Sequence, residues 1–430
     1  MNEILKLSAT RQAALVRRRE ISWRELVDAH LARIAEINPT INAVIELLPV
    51  TEPADGPLHG VPFSIKDSIE VAGTRCTAGT LSRKDAAPST GDATLVARLR
   101  AAGAIPIAKT NLPDLLFAFE TDNLIFGRTN NPYDLSRTSG GSSGGEAALI
   151  AACGSPFGLG SDAAGSVRVP AAFCGIASIK PTSGRLPRTG HVPPAGGWIE
   201  ALWQIGPMAR HVEDLIALMP LLAGSDGCDH TVVDMPFARA DLRDLHVAYY
   251  TDGADAEVAA VVQDAAKSIG AVEARPSCID AAYDIEMGLI GADGGDALRA
   301  YSPVHPLLTA WLDKLEAYRV DIAGLAALWD RWQRYKAEMI AFPYDAIVCP
   351  VYAHAALKHG TSVDDANFRG FAHTMAYNVA GWPAAVVCGG MSRDGLPIGV
   401  QIAARPWRED IALTLSRVLH RSPPACPQPS

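Results

Sequence analysis

Three serines and a lysine are the residues of this 430-residue chain whose setting could support covalent chemistry. Ser142 and Ser143 stand as a pair inside Thr138-Ser-Gly-Gly-Ser-Ser-Gly-Gly145. Ser166 ends a second loop of small residues, Phe157-Gly-Leu-Gly-Ser-Asp-Ala-Ala-Gly-Ser166. Lys66 closes the apolar run Val61-Pro-Phe-Ser-Ile65. A serine hydroxyl is a poor nucleophile near neutral pH and needs a proton acceptor within hydrogen-bond reach. Lysine can accept that proton only when neutral, so its pKa must be lowered by burial or by neighbouring charge. The run before Lys66 is apolar enough to bury it. The chemistry such a set could perform is acyl transfer through an activated serine.

Other readings of the glycine-rich loops are weaker. No Gly-Lys dipeptide occurs, so there is no Walker-type phosphate loop. Gly158-x-Gly160-x-x-Ala163 imitates a dinucleotide fingerprint, but what precedes it is short and interrupted by Pro156. Gly140-x-Ser142-x-Gly144 and Gly141-x-Ser143-x-Gly145 match a nucleophile elbow, which needs a buried strand directly upstream. Here Asn130-Asn-Pro-Tyr-Asp-Leu-Ser-Arg-Thr138 reads as loop. His354 or His373 could still complete a triad with that elbow. No serine stands three residues before a lysine, and no HExxH or dense His/Cys cluster suggests a metal. No metal and no cofactor are expected.

These residues must be positioned by a scaffold, and its elements are partly visible. Ser22-x-x-Glu25 followed by Leu26, Leu31, Ile34 and Ile37 predicts a capped amphipathic helix ending before Asn38-Pro39. Val61–Ile65 and Ala104–Ala108 read as strands around a helix at Thr94–Ala101. Glu146–Ala152 reads as helix, and Pro170 suits a helix's first turn. Asp345–Val351, Ala384–Val387 and Gly399–Ala403 read as buried strands. Such alternation predicts an α/β fold. The simplest organisation is one domain over residues 1–430, with a core at about 1–240 and 341–425 and a mostly helical insertion at about 245–340 on the substrate side.

Composition narrows the function classes. The chain is 48% hydrophobic and 20% charged with a net charge of −9, ordinary for a globular protein and unlike a nucleic-acid binder. No membrane-spanning run and no apolar signal segment at Met1–Glu20 are visible, and none of the eight cysteines forms a Cys-x-x-Cys pair. Free thiols and a cytoplasmic location are therefore expected.

Three stretches together resemble the amidase signature family. The first is Gly60-Val-Pro-Phe-Ser-Ile-Lys66-Asp67. The second runs from Phe126-Gly-Arg-Thr-Asn-Asn-Pro-Tyr-Asp through Ser142-Ser143 and Gly160-Ser-Asp-Ala-Ala-Gly-Ser166-Val-Arg-Val-Pro170, then Lys180-Pro181, to Gly206-Pro-Met-Ala-Arg210. The third is Asn378-Val-Ala-Gly-Trp-Pro383 followed by Asp394-Gly-Leu-Pro-Ile-Gly-Val-Gln401. With the N-terminal helix they cover about two thirds of the chain. The resemblance implies a large mixed central sheet covered by helices on both faces.

It also implies a Ser–Ser–Lys triad: Ser166 as the acylated nucleophile, Ser142 as the bridging serine after a cis Gly141–Ser142 peptide, and Lys66 as the base. Backbone N–H groups of Ala163, Ala164, Gly165 and Ser166 would form the oxyanion hole. The family usually carries two glycines before the nucleophile, where this chain has Ala164-Gly165. Alanine would be strained there if φ were positive, and would otherwise narrow the pocket. Ser143, Asp162 and Arg168 would be supporting residues, the last two as an ion pair bracing the loop. Lys180 reads as a solvated turn residue, and Cys153 and Cys174 read as packing residues.

The implied function is hydrolysis of a carboxylic amide. Tyr352, His354 and Thr374-Met-Ala-Tyr-Asn378 resemble stand-alone amidases of the fatty-acid amide hydrolase type, here without a membrane-spanning N-terminus. The alternative is a glutaminase (A) subunit of a tRNA-dependent amidotransferase. Pocket residues are expected from 115–125, 190–204 and 245–340. Phe117, Phe119, Trp198 and Trp203 hint at an apolar or aromatic acyl group, and the tryptophans and tyrosines of 301–335 read as a helical core stripe or as pocket lining. The expected partner is a small-molecule amide, with neither nucleic acid nor a membrane span, and possible assembly as a homodimer.

Overall fold

The computed structural model describes residues 2–194, 200–239 and 241–421. Its centre is an 11-stranded sheet. In spatial order the strands are Val44–Leu47, Ile105–Thr110, Pro62–Lys66, Phe157–Asp162, Gln204–Ala209, Ala177–Lys180, Ala384–Met391, Pro397–Ala404, Ala346–Pro350, Val247–Tyr249 and Val272–Glu273. Pro62–Lys66 runs parallel to both its neighbours, and Val247–Tyr249 is parallel to both of its own. The remaining pairs are antiparallel, so the sheet is mixed as expected. Residues 245–340 supply one edge strand of the sheet, Val272–Glu273, and its neighbour Val247–Tyr249, as well as the long helices Pro306–Glu316 and Ile322–Ala341.

Strand side chains alternate between the two faces, and here the alternation separates core from chemistry. One face carries Phe63, Ile65, Phe157, Leu159, Val387 and Val400. These pack against helices Thr94–Ala101, Val212–Leu222, Ala256–Ser268 and Glu409–Leu419. The intervening positions bring Ser64, Lys66, Asp162, Lys180 and Gln401, all buried, to the opposite face. There they lie beneath helices Gly144–Ala151, Arg168–Cys174, Ala282–Ile290 and Ala372–Ala380.

Several expectations need correction. The capping box is present, with Glu25 N donating to Ser22 Oγ at 3.2 Å and Ser22 N to Glu25 Oε2 at 2.9 Å. The helix, however, runs Trp23–Ile41, through Pro39. Asn38 holds that end: its carbonyl accepts from Asn42 N, and its Oδ1 from Ala43 N and Val44 N. Asn130–Thr138 is not loop throughout. Asn130–Asn131 and Asp134–Thr138 form a separate two-stranded ribbon outside the main sheet. Lys180 is not a solvated turn residue, because pairing of its strand with Ala384–Met391 carries it wholly inside. Six cysteines are free thiols, but Cys153 is disulfide-bonded. Cys426 lies outside the described residues. Among the described residues, no helix is long and apolar enough to cross a membrane.

Candidate active site

Lys66 is the last residue of its strand and is fully buried. Its ammonium nitrogen meets neutral oxygens: Ser142 Oγ at 2.7 Å, Ser161 Oγ at 3.1 Å and the Ser161 carbonyl at 3.5 Å. Lys109, on the adjacent strand, is equally buried but ion-paired to Asp67 at 2.6 Å. Burial lowers the Lys66 pKa to about 7, against the opposing pull of the Asp162 and Glu146 charges. Such a lysine is substantially neutral at physiological pH, which is what a proton acceptor requires.

The Gly141–Ser142 peptide is cis. A Cβ at Gly141 would stand 2.4 Å from the Ala118 carbonyl oxygen, so the serine loop needs glycine to pack this closely on segment 118–120. Ser143 ties the two small-residue loops together. Its N–H donates to the Ser166 carbonyl at 3.0 Å, its hydroxyl donates to the Ser161 carbonyl at 3.3 Å, and its Oγ lies 3.4 Å from Ser161 N. Ser142 and Ser166 line the same pocket. Among the described residues, no hydrogen bond joins the two hydroxyls, and contacts of this kind often tighten only with substrate in place.

In the loop before Ser166, Asp162 Oδ1 accepts from Gly165 N at 2.9 Å and Asp162 Oδ2 from Val167 N at 3.1 Å. The Gly165 amide is thus taken, which corrects its expected place in the oxyanion hole. Ala163, Ala164 and Ser166 line the pocket. Positive φ falls on Gly165 (129°) and not on Ala164, so Ala164 is unstrained and its methyl narrows the pocket. A Cβ on Gly165 would come within 2.4 Å of Thr374 Oγ1.

Asp162 and Arg168 form the expected pair, with Nη2 to Oδ1 at 2.8 Å and Nε to Oδ2 at 3.0 Å. Burial alone would raise the Asp162 pKa, yet Arg168 holds the carboxyl well below the usual range. Arg168 also donates to the Thr374 carbonyl (2.8 Å), Gln401 Oε1 (2.7 Å) and Asn378 Oδ1. Ser161, Thr374 and Glu146 are site residues that sequence reasoning did not assign. Glu146, wholly buried, accepts from Ser64 and Thr110 beneath Lys66. Burial raises its pKa to about 7. Lys180 is also lowered to about 7, by burial and then by the Arg168 charge, but its nitrogen donates to the Pro181 carbonyl and touches no serine.

The pocket above the serines is largely apolar. Phe117, Phe119 and Trp311 form an aromatic wall, and Leu202 and Trp203 also line the pocket. Trp332 and Tyr335 belong instead to the core, and Trp198 lies outside the described residues. The elbow reading finds no support. His354 is bonded to Asp255, His373 packs beside Gly253, and neither lines the pocket.

Known proteins resemble this chain over most of its length. A profile of the amidase family matches residues 25–281 and 301–413. The chain is 30% identical to fatty-acid amide hydrolase 2 of Homo sapiens over 97% of its own length and 89% of that protein. It is 32% identical to a glutamyl-tRNA(Gln) amidotransferase subunit from Roseiflexus castenholzii, over 98% and 96% respectively. Among solved structures, 6-aminohexanoate cyclic dimer hydrolase complexed with substrate superposes with a TM-score of 0.86 at 29% identity, covering 99% of each chain.

Proposed function

From the premise that this chain belongs to the amidase signature family, and so is a hydrolase acting on amide carbon–nitrogen bonds, we propose that it is a stand-alone amidase working through an acyl-Ser166 intermediate. The observation that carries this reading is the buried Lys66, bonded to Ser142 at 2.7 Å and depressed to about pKa 7. Neutral Lys66 takes the Ser142 proton as Ser142 takes that of Ser166, and Ser166 Oγ adds to the substrate carbonyl carbon. The amides of Ala163, Ala164 and Ser166 are the donors for the resulting oxyanion, each such donor worth ~2.7–4 kcal/mol of barrier. The proton then returns through Ser142 to the departing nitrogen, the C–N bond breaks, and water releases the acid by the same route in reverse.

A glutaminase subunit is the rival reading, and relatives of both kinds match this chain. The pocket favours the stand-alone enzyme. Its described ionisable residues are His191 and Asp162, and Asp162 is paired with Arg168. Neither offers a cationic partner for the α-carboxylate of glutamine, whereas the aromatic wall suits an apolar acyl group. Treatment with a fluorophosphonate and peptide mass spectrometry tests the reading. The adduct is expected on Ser166, and is expected to be lost or strongly slowed in Lys66→Ala. An adduct on Ser142 or Ser143 would refute the assignment. Glutaminase activity that appears only with co-purifying partner proteins would favour the rival.

A further inference from the structure

His191 is the histidine that lines the serine pocket among the described residues, and nothing in the proton relay uses it. Its ring is buried, with the residue 5% exposed. Nδ1 lies 3.0 Å from the Pro193 carbonyl oxygen. A carbonyl oxygen can only accept, so Nδ1 carries the proton and a neutral ring keeps its lone pair on Nε2. That Nε2 is buried without a hydrogen-bond partner among the described residues.

The ring is also held in place. It lies against Trp203 at 4.3 Å between centroids, and the Arg188 guanidinium covers Trp203 at 5.1 Å. Arg188 is fixed in turn by Asp229 and Glu200. The His191 backbone bonds to Arg188 and bridges to Ile69, three residues beyond Lys66. Burial keeps the imidazole neutral, with a pKa lowered to about 3 against the opposing pull of the Pro193 hydrogen bond. A buried acceptor without a partner, on a ring that lines a largely apolar pocket, calls for a donor from the ligand.

An amide substrate brings two polar groups to this pocket. Its carbonyl oxygen is served by the backbone amides before Ser166, and its N–H needs an acceptor. We propose that His191 Nε2 accepts the N–H of the scissile amide, making His191 a substrate-contacting residue that selects primary and secondary amides over the esters and tertiary amides that lack this hydrogen. The inference rests on the amidase reading above. The ester reaction shares the acyl-Ser166 chemistry but has no N–H to offer, so it separates the two claims.

The test compares the 4-nitroanilide and the 4-nitrophenyl ester of one apolar acid, by kcat/KM, in wild type, His191→Leu and His191→Gln. His191→Leu is expected to lower anilide turnover about tenfold or more, because a buried donor is left unpaired. The ester should fall much less than the anilide, so that the anilide-to-ester ratio drops, and circular dichroism reports that the variant is folded. His191→Gln keeps an acceptor and should recover part of the anilide rate. An equal fall on both substrates, or no fall on either, would overturn the inference while the amidase reading stands. A wild-type protein that cleaves neither substrate and takes no label on Ser166 would overturn both.

Discussion

Two lysines of this chain are buried on one face of one sheet with pKa values lowered to about 7, and only Lys66 touches a serine. The value predicts the pH profile of the enzyme. In the proposed mechanism the neutral amine is the base, so the active form is lost as pH falls through the lowered pKa. kcat/KM should rise about tenfold per pH unit below pH 7 and level off above it. Initial rates between pH 5 and 10 check this, and a rate still climbing at pH 10 would mean that Lys66 is not the base. At this scale the long ordered motifs marked out residues that the fold brings together, Lys66 against Ser142 and Ser142 beside Ser166 in one pocket. The sequence misled at Lys180, because a lysine before proline looks like a turn until a strand some two hundred residues away pairs with it. It misled also at Gly165, where an acidic side chain three residues back claims the amide.

Elements meet at Arg168. Its guanidinium binds the end of strand Phe157–Asp162, helix Ala372–Ala380 and strand Pro397–Ala404 from the first position of its own helix. The spacing of Asp162 and Arg168 was enough to foresee their pair. Gln401 and Asn378 as further partners were not foreseeable, because they lie 233 and 210 residues along the chain. Arg168→Met would leave the Asp162 carboxylate buried and unpaired. Breaking a buried pair from one side costs about 3–5 kcal/mol, so urea unfolding should show a loss of that order. A loss below about 1 kcal/mol would show that the junction is not held electrostatically. Gly165→Ala should act on the same loop from the other side, lowering kcat as Thr374 is displaced.

Across the whole molecule, the α/β class and several strands were readable from apolar runs between glycine and proline, but their spatial order was not. Sequence neighbours such as Val44–Leu47 and Pro62–Lys66 are separated in the sheet by Ile105–Thr110. The pocket likewise gathers Phe119, Trp203 and Trp311 from distant segments. That lining predicts that aryl and long-chain amides are turned over with a higher kcat/KM than acetamide, and that Trp311→Ala erodes the difference mainly through KM. Equal turnover of small and large amides by wild type would contradict it. The alternation of the strands also bears on how such an enzyme can diversify. Deleting one residue within Pro62–Lys66 would swing the ammonium into the oily layer and push Phe63 or Ile65 up among the serines, ruining fold and chemistry in one event. Substitutions at alternate positions, and length changes in the connecting segments, are the changes left open. New specificities on this scaffold should therefore arise from its loops and helices, while the strands beneath the serines keep their length.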